Sequence, residues 1–270
     1  MQSSRLKKRH VGAASAYLES RLAAGQFAFS LADLTRETGL SRIAATRQLD
    51  RLGAAVVRVS RLQAFFLIVP PEHRGRGGPP VEWWLGDYFR WLGQPYYLAL
   101  MSAAGAHGSN PQGLQMTQVM TGSPRRPLEV GELRVHFFMK RRIAKTPTQE
   151  LANAYAPTQV STPAATAFDL IRYADRIGGI GRAAETLRPL LPKISPVDLR
   201  KALEAEEEIA TAQRLGYVLE KLEQPKLAAV VHEWLPRRRL IALAGKASGS
   251  KDQARSTRWQ VQDNTGEFNP

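Results

Sequence analysis

Two serines and two glycines punctuate the first part of this chain and fix what it can fold into. Ser30 and Ser41 stand where helix N-caps are wanted, and Gly39 and Gly53 stand where helices stop. The spacing predicts a helix over Leu31–Thr38 with Leu31, Leu34 and Thr38 inward. A further helix follows Ser41, with Ala45, Leu49 and Leu52 on one side and Leu40 filling the turn between the two. Residues 10–24 place Val11, Ala14, Leu18 and Leu22 at helical spacing, and Gly25 closes that segment. Gln26–Phe29 is long enough for one brief strand. Ala55–Ser60 and Ala64–Val69 are β-rich runs joined by Arg61-Leu62-Gln63, which reads as a hairpin. Helix, short strand, helix, turn, helix, hairpin is the order of a winged helix-turn-helix.

Such a unit places its second helix in a DNA major groove about 12 Å wide, with side chains toward base edges. After Ser41, the residues Arg42, Thr46 and Arg47 fall on the outward side of the third helix. Ser41 itself is placed for a phosphate or for its own backbone N–H, and capping is the preferred reading. The hairpin supplies Arg58 and Arg61, and the N-terminal arm supplies Lys7, Lys8 and Arg9. The charge distribution agrees. Residues 1–80 hold thirteen Lys/Arg against five Asp/Glu, whereas residues 193–235 are slightly acidic, in a chain of net charge +14.

Pro70 to Pro80 (PPEHRGRGGPP) reads as a Pro/Gly-rich linker, so residues 1–70 form one domain, 71–80 a linker and 81–244 a second domain. In the second domain Val81–Leu92 and Pro95–Ala106 read as helices. Leu114–Thr121 and Leu133–Lys140 read as strands, with Val160 in a third. The remainder is helical: Ala164–Ile177, Ile180–Leu191, Pro196–Leu222 with a break near Gly216, and Leu227–Leu235. Residues 245–270 are polar and Gly/Ser-rich, and a disordered tail is expected there. The expected fold class is α+β, a winged helix followed by a larger mixed α/β domain that ends in helices. Trp83, Trp84, Tyr88, Trp91, Tyr96 and Tyr97 fall at helical spacing and read as core rather than as a ligand site. Lys140-Arg141-Arg142 with Lys145 reads as a solvated strand end in preference to a second nucleic-acid contact.

Catalytic signatures are missing from the string. Gly245-Lys246 lacks the glycine and the Ser/Thr of a phosphate loop, Gly122-Ser123 lacks the following Asp-x-Asp of a nucleotidyltransferase, and the five histidines have no metal spacing. With no cysteine, disulfide and thiol chemistry are excluded, which fits a reducing cytoplasm. No apolar run approaches the ~18 residues of a membrane span, and the basic start lacks the apolar core of a signal peptide. No enzyme activity, cofactor or metal is expected.

Several separated strings resemble the AbiEi antitoxin family. They are Phe65–Glu72, Trp83–Tyr88, Tyr96–Ala104, His107-Gly108, Gln112 and Gln115, then Ser161-Thr162-Pro163, Thr166–Leu170, Tyr173 and Gly178-Gly179. Together they cover about residues 30–235. The resemblance implies an antitoxin of a type IV toxin–antitoxin pair. Its winged helix would bind inverted repeats in its own promoter, and its C-terminal domain would oppose a nucleotidyltransferase toxin without a stable complex. Tyr96, Tyr97, His107, Gln112, Asp169 and Tyr173 are the antitoxicity candidates that the matching strings nominate. Ala164 departs from the family, which has Glu after the Ser-Thr-Pro, and Ser109-Asn110-Pro111 departs as well. Two other readings stay open: a winged-helix regulator whose C-terminal domain senses a ligand, and a nucleic-acid-processing protein targeted by the winged helix.

Overall fold

A computed structural model describes residues 12–109, 116–151, 155, 157–236, 238–245 and 254–268. The first unit follows the predicted order: α1 (Ala13–Ala23), β1 (Ala28–Ser30), α2 (Leu31–Thr38), α3 (Arg42–Arg51), then β2 (Val56–Ser60) and β3 (Gln63–Ile68). The Ser30 side chain accepts from the Asp33 N–H while Asp33 reaches back to the Ser30 N–H, a complete capping box, and Gly39 ends α2 in the left-handed conformation. The three strands form one antiparallel sheet in the order β1-β3-β2.

That sheet is buried on both faces, and strand alternation explains how. Phe29, Val56, Phe66 and Ile68 pack under the three helices with Ala14, Leu18, Leu34, Ala45 and Leu49. Ala28, Val57, Val59, Phe65 and Leu67 point the other way, against Val81, Trp84, Leu85, Tyr88 and Phe89. The hydrophobic core therefore crosses the expected linker. Residues Pro71–Arg76 form a 3₁₀ turn rather than an extended tether, and the Glu132 N–H donates to the Arg76 carbonyl at 2.9 Å. The linker reading is corrected on this point: Pro and Gly punctuate the chain there without separating two cores.

The second unit begins with a 3₁₀ turn (Val81–Trp83) and α4 (Leu85–Leu92), then β4 (Tyr96–Leu98), α5 (Leu100–Ala106), β5 (Thr117–Thr121), β6 (Leu128–Val130), β7 (Leu133–Met139), β8 (Thr148–Leu151) and β9 (Thr158–Ser161). Its sheet runs β6-β7-β5-β4-β9-β8 and mixes parallel with antiparallel pairs. Tyr96 and Tyr97, expected in a helix, lie in β4, where pairing with β5 on one side and β9 on the other overrides local preference. Trp84, Tyr88 and Tyr97 are buried and Trp91 is partly exposed, so most of the aromatic set is core.

Helices α6 (Pro163–Arg172), α7 (Ala174–Ile177), α8 (Ile180–Leu187), α9 (Pro196–Glu206), α10 (Ile209–Lys221) and α11 (Pro225–Trp234) build the remaining core with α5 and one face of the sheet. The break expected near Gly216 lies instead at Glu207, which caps α9 in the left-handed conformation. Gly216 sits inside α10 beneath the ring of Trp259, where a methyl group would collide with the indole. The expected disordered tail is likewise corrected for residues 254–268. There β11 (Ala254–Ser256) and β12 (Val261–Asp263) join β10 (Ile241–Ala242), Trp259 is fully buried, and Tyr217 donates to Asp263 at 3.0 Å.

Candidate nucleic-acid face and buried charge cluster

The outward surface of α3 is set by its cap. Ser41 takes an extended conformation, and its hydroxyl accepts from the Ala44 N–H at 3.3 Å, so the capping role is the one it fills. Ala45 and Leu49 are buried beneath, and the Ala14 N–H donates to Gln48 at 2.9 Å, which ties α1 to the same helix. Arg42, Ile43, Thr46 and Arg47 then line one shallow exposed depression. The Thr46 hydroxyl donates back to the Arg42 carbonyl at 2.9 Å. Ile43 is 68% exposed. The sequence reading did not name it, although the helical spacing that turns Ala45 and Leu49 inward places Ile43 on the outward side with Thr46 and Arg47.

On the β2–β3 hairpin, a register shift between Arg58 and Ser60 bends the strand. Arg58 is exposed and donates across the turn to the Gln63 carbonyl at 2.7 Å, with its guanidinium 5.7 Å from the Phe66 ring. Arg61 and Leu62 form the tip, with Leu62 87% exposed. Tyr88 of α4 donates to the Gln63 side chain at 2.7 Å and so braces the hairpin from the second unit. Lys7, Lys8 and Arg9 lie outside the described residues.

The antitoxicity candidates do not form one site. Tyr97 and Asp169 do meet, in a cluster that the sequence did not reveal. Tyr97 donates to Asp169 at 2.9 Å. The Lys140 ammonium lies 2.7 Å from Asp169, 2.5 Å from Glu206 and 3.1 Å from the Tyr97 hydroxyl. Thr146 donates to Glu206 at 3.0 Å. The expected solvated strand end is corrected at Lys140, which is 1% exposed. Three successive glutamates at the α9–α10 turn instead pair with two members of the basic string and with Arg172 of α6. Lys140 pairs with Glu206, Arg142 with Glu207 at 2.5 Å, and Arg172 with Glu208 at 2.9 Å. Burial pushes the Glu206 carboxyl up, against the pull of Lys140. Burial, then the adjoining Asp169 charge, raises the Tyr97 hydroxyl well above its ordinary value, so it stays a neutral donor.

The other candidates are dispersed. Tyr173 donates to the Met139 carbonyl at 2.7 Å, next to Lys140 but outside the cluster. Tyr96 stacks on Phe89 with centroids 4.3 Å apart and accepts from the Gln159 N–H at 3.3 Å. His107 Nε2 sits 2.6 Å from the Ser161 carbonyl, and Lys193 donates to the His107 carbonyl. Gln112 lies outside the described residues. Among those described, no group of three His, Cys, Asp or Glu is arranged to hold a metal, and no helix is long and apolar enough to cross a membrane.

Comparison with known proteins divides along the same line. Residues 97–221, which contain Tyr97, Lys140, Asp169 and Glu206, match the family described as the AbiEi antitoxin C-terminal domain. The crystal structure of the RV2827C protein from Mycobacterium tuberculosis is similar over 95% of this chain and 93% of that one, with a TM-score of 0.67 and 17% identity. At that identity the likeness is one of fold, and it spans both units. No curated protein matches the chain at a significant level.

Proposed function

Residues 97–221 belong to the AbiEi antitoxin C-terminal domain family, and from that premise we propose that this chain is an antitoxin and the repressor of its own operon. The N-terminal unit is read as a winged helix whose α3 enters a major groove while the β2–β3 hairpin contacts the backbone. The observation that carries the DNA half is the exposed row Arg42, Ile43, Thr46 and Arg47 on α3, with Arg58 and Arg61 also exposed on the hairpin. The family assignment carries the other half. The second unit opposes a nucleotidyltransferase toxin, and it does so without holding that toxin in a stable complex.

Both halves are testable on the full chain, which is the right form because the two units share a core. A gel-shift titration of DNA from upstream of the chain's own gene should give a log K against log salt slope of roughly −4 to −5, if about five cations neutralise phosphates. Arg42→Ala with Arg47→Ala should weaken the sequence preference and make that slope shallower by about 2. The same double variant should still restore growth to cells expressing the adjacent toxin gene, and no toxin should co-purify. Unchanged DNA binding by the double variant would remove the assignment of α3.

A second reading, a regulator that senses a small molecule, has one observation in its favour. A cleft of about 630 Å³ opens between α4, β4 and β8, lined by Phe89, Gln94, Tyr96, Thr146 and Gln159. A small metabolite that shifts operator affinity, in a chain that leaves the toxin untouched, would favour that reading.

A further inference from the structure

We infer that Ile43 reads the 5-methyl group of a thymine in the major groove, so that part of the sequence preference rests on an apolar contact and not on arginine alone. The inference rests on the DNA-binding reading of α3 and deepens it. Ile43 stands in the first turn of α3, the end of a recognition helix that meets base edges. It is 68% exposed while Ala45 and Leu49 of the same helix are buried. Its neighbours on this face are Arg42, Thr46 and Arg47. Because the Thr46 hydroxyl is spent on the Arg42 carbonyl, the face offers no free hydroxyl donor at its centre. It presents an apolar centre with a guanidinium on either side.

The partner that fits is narrow in chemistry. The flanking cations call for a polyanion, and the only apolar group on the floor of a B-DNA major groove is the thymine methyl. Arginines beside it can take guanine O6 and N7 or the phosphates. A protein partner with an apolar knob would meet two unpaired guanidiniums around it, which the charge disfavours. The isoleucine also gains from being covered. Each buried methyl or methylene is worth about fourfold in affinity, from about 0.8 kcal/mol at 1.4 kcal/mol per factor of ten.

The test uses the full chain and a duplex chosen by the protein. Wild-type protein selects from a randomised double-stranded pool, and the recovered duplex is remade with each thymine replaced singly by uracil, which removes only the methyl. The expected result is one thymine position per half-site where the change weakens wild-type binding about three- to fivefold. The Ile43→Ala variant should bind the thymine duplex equally less well and be indifferent to uracil there, with an unaltered salt slope. Uniform tolerance of uracil by the wild type, or equal sensitivity in wild type and Ile43→Ala, would overturn the inference while leaving DNA binding intact. Failure to enrich any sequence, with no salt dependence, would instead overturn the DNA-binding reading and this inference with it. Ile43 is on the surface, so its alanine variant should fold; an unchanged circular dichroism spectrum and melting temperature check this.

Discussion

Lys140 Nζ lies 2.7 Å from Asp169 Oδ1, and neither side chain has more than 1% of its surface exposed. Glu206 completes the arrangement at 2.5 Å, and Arg172 approaches Glu206 from the rim at 3.7 Å. The ammonium thus has three acceptors and needs no water, while two carboxylates depend on it. Removing one partner from such a set leaves buried charge uncompensated, at about 3–5 kcal/mol. Lys140→Ala should therefore lower stability by that order in urea titration. Neutralising the set together, with Lys140→Met, Asp169→Asn and Glu206→Gln, should recover most of the loss. If the triple variant folds and still rescues toxin-expressing cells, the cluster is a scaffold. If it folds and fails, these side chains take part in antitoxicity.

Trp259 makes the last segment part of the fold. Its indole is fully buried over Gly216, its N–H donates to Glu220 at 3.0 Å, and its carbonyl accepts from Gln213 at 2.7 Å. Trp259→Ala should cost about 3–5 kcal/mol. It should also speed tryptic cleavage after Arg255 and Arg258, read by mass spectrometry. Gly216→Ala should do the same from the other side of the contact, since its methyl takes the space of the ring. Cleavage rates equal to wild type in both variants would mean that this packing contributes nothing.

What the sequence revealed and what it hid follow from the range of the interactions. Ser30, Gly39 and Ser41 act on residues three or four away, so the helices of the first unit were legible to within a few residues. Tyr96 and Tyr97 look helical beside Leu98–Met101, but their conformation is decided by β5 and β9, which local periodicity cannot see. The string Lys140-Arg141-Arg142 looks solvated because Asp169 and Glu206 are distant in the chain. The end of α9 at Glu207 is set by Arg142 and by backbone geometry, whereas Gly216, the more obvious breaker, is reserved for Trp259. Of the proposed DNA face the charges were read from the sequence and the apolar centre was not, although the spacing that turns Leu49 inward also places Ile43 outward.

Gly131 tests how firmly the two units are joined. Its φ of +58° and the closeness of the Arg76 carbonyl and Gly77 leave no room for a side chain. The left-handed backbone alone costs a non-glycine residue roughly 1–2 kcal/mol. For a chain of this size each kcal/mol lowers Tm by about 2–4 °C, so Gly131→Ala should melt several degrees early. Because the core passes through the β1-β3-β2 sheet into α4, the wild type should melt in one calorimetric transition. Two well-separated wild-type transitions would show that the shared sheet does not bind the units together.

His107 gives the fold a pH dependence of definite sign. Its ring is buried and donates from Nε2 to the Ser161 carbonyl, and burial, helped by the Lys193 ammonium, lowers its pKa from the ordinary 6.5. The unfolded chain therefore binds the proton at a pH where the folded chain does not, and stability rises with pH across that interval. The contribution is complete above the unfolded value of 6.5 and is lost as pH falls through the lower folded value. Urea titrations of wild type and His107→Gln between pH 5 and 8 should show a stability difference that is flat above 6.5. Below it the wild type should lose ground relative to the variant. A difference that grew in the wild type's favour on acidification would mean that the folded protein holds His107 charged, and the neutral Nε2 donor would be the wrong assignment.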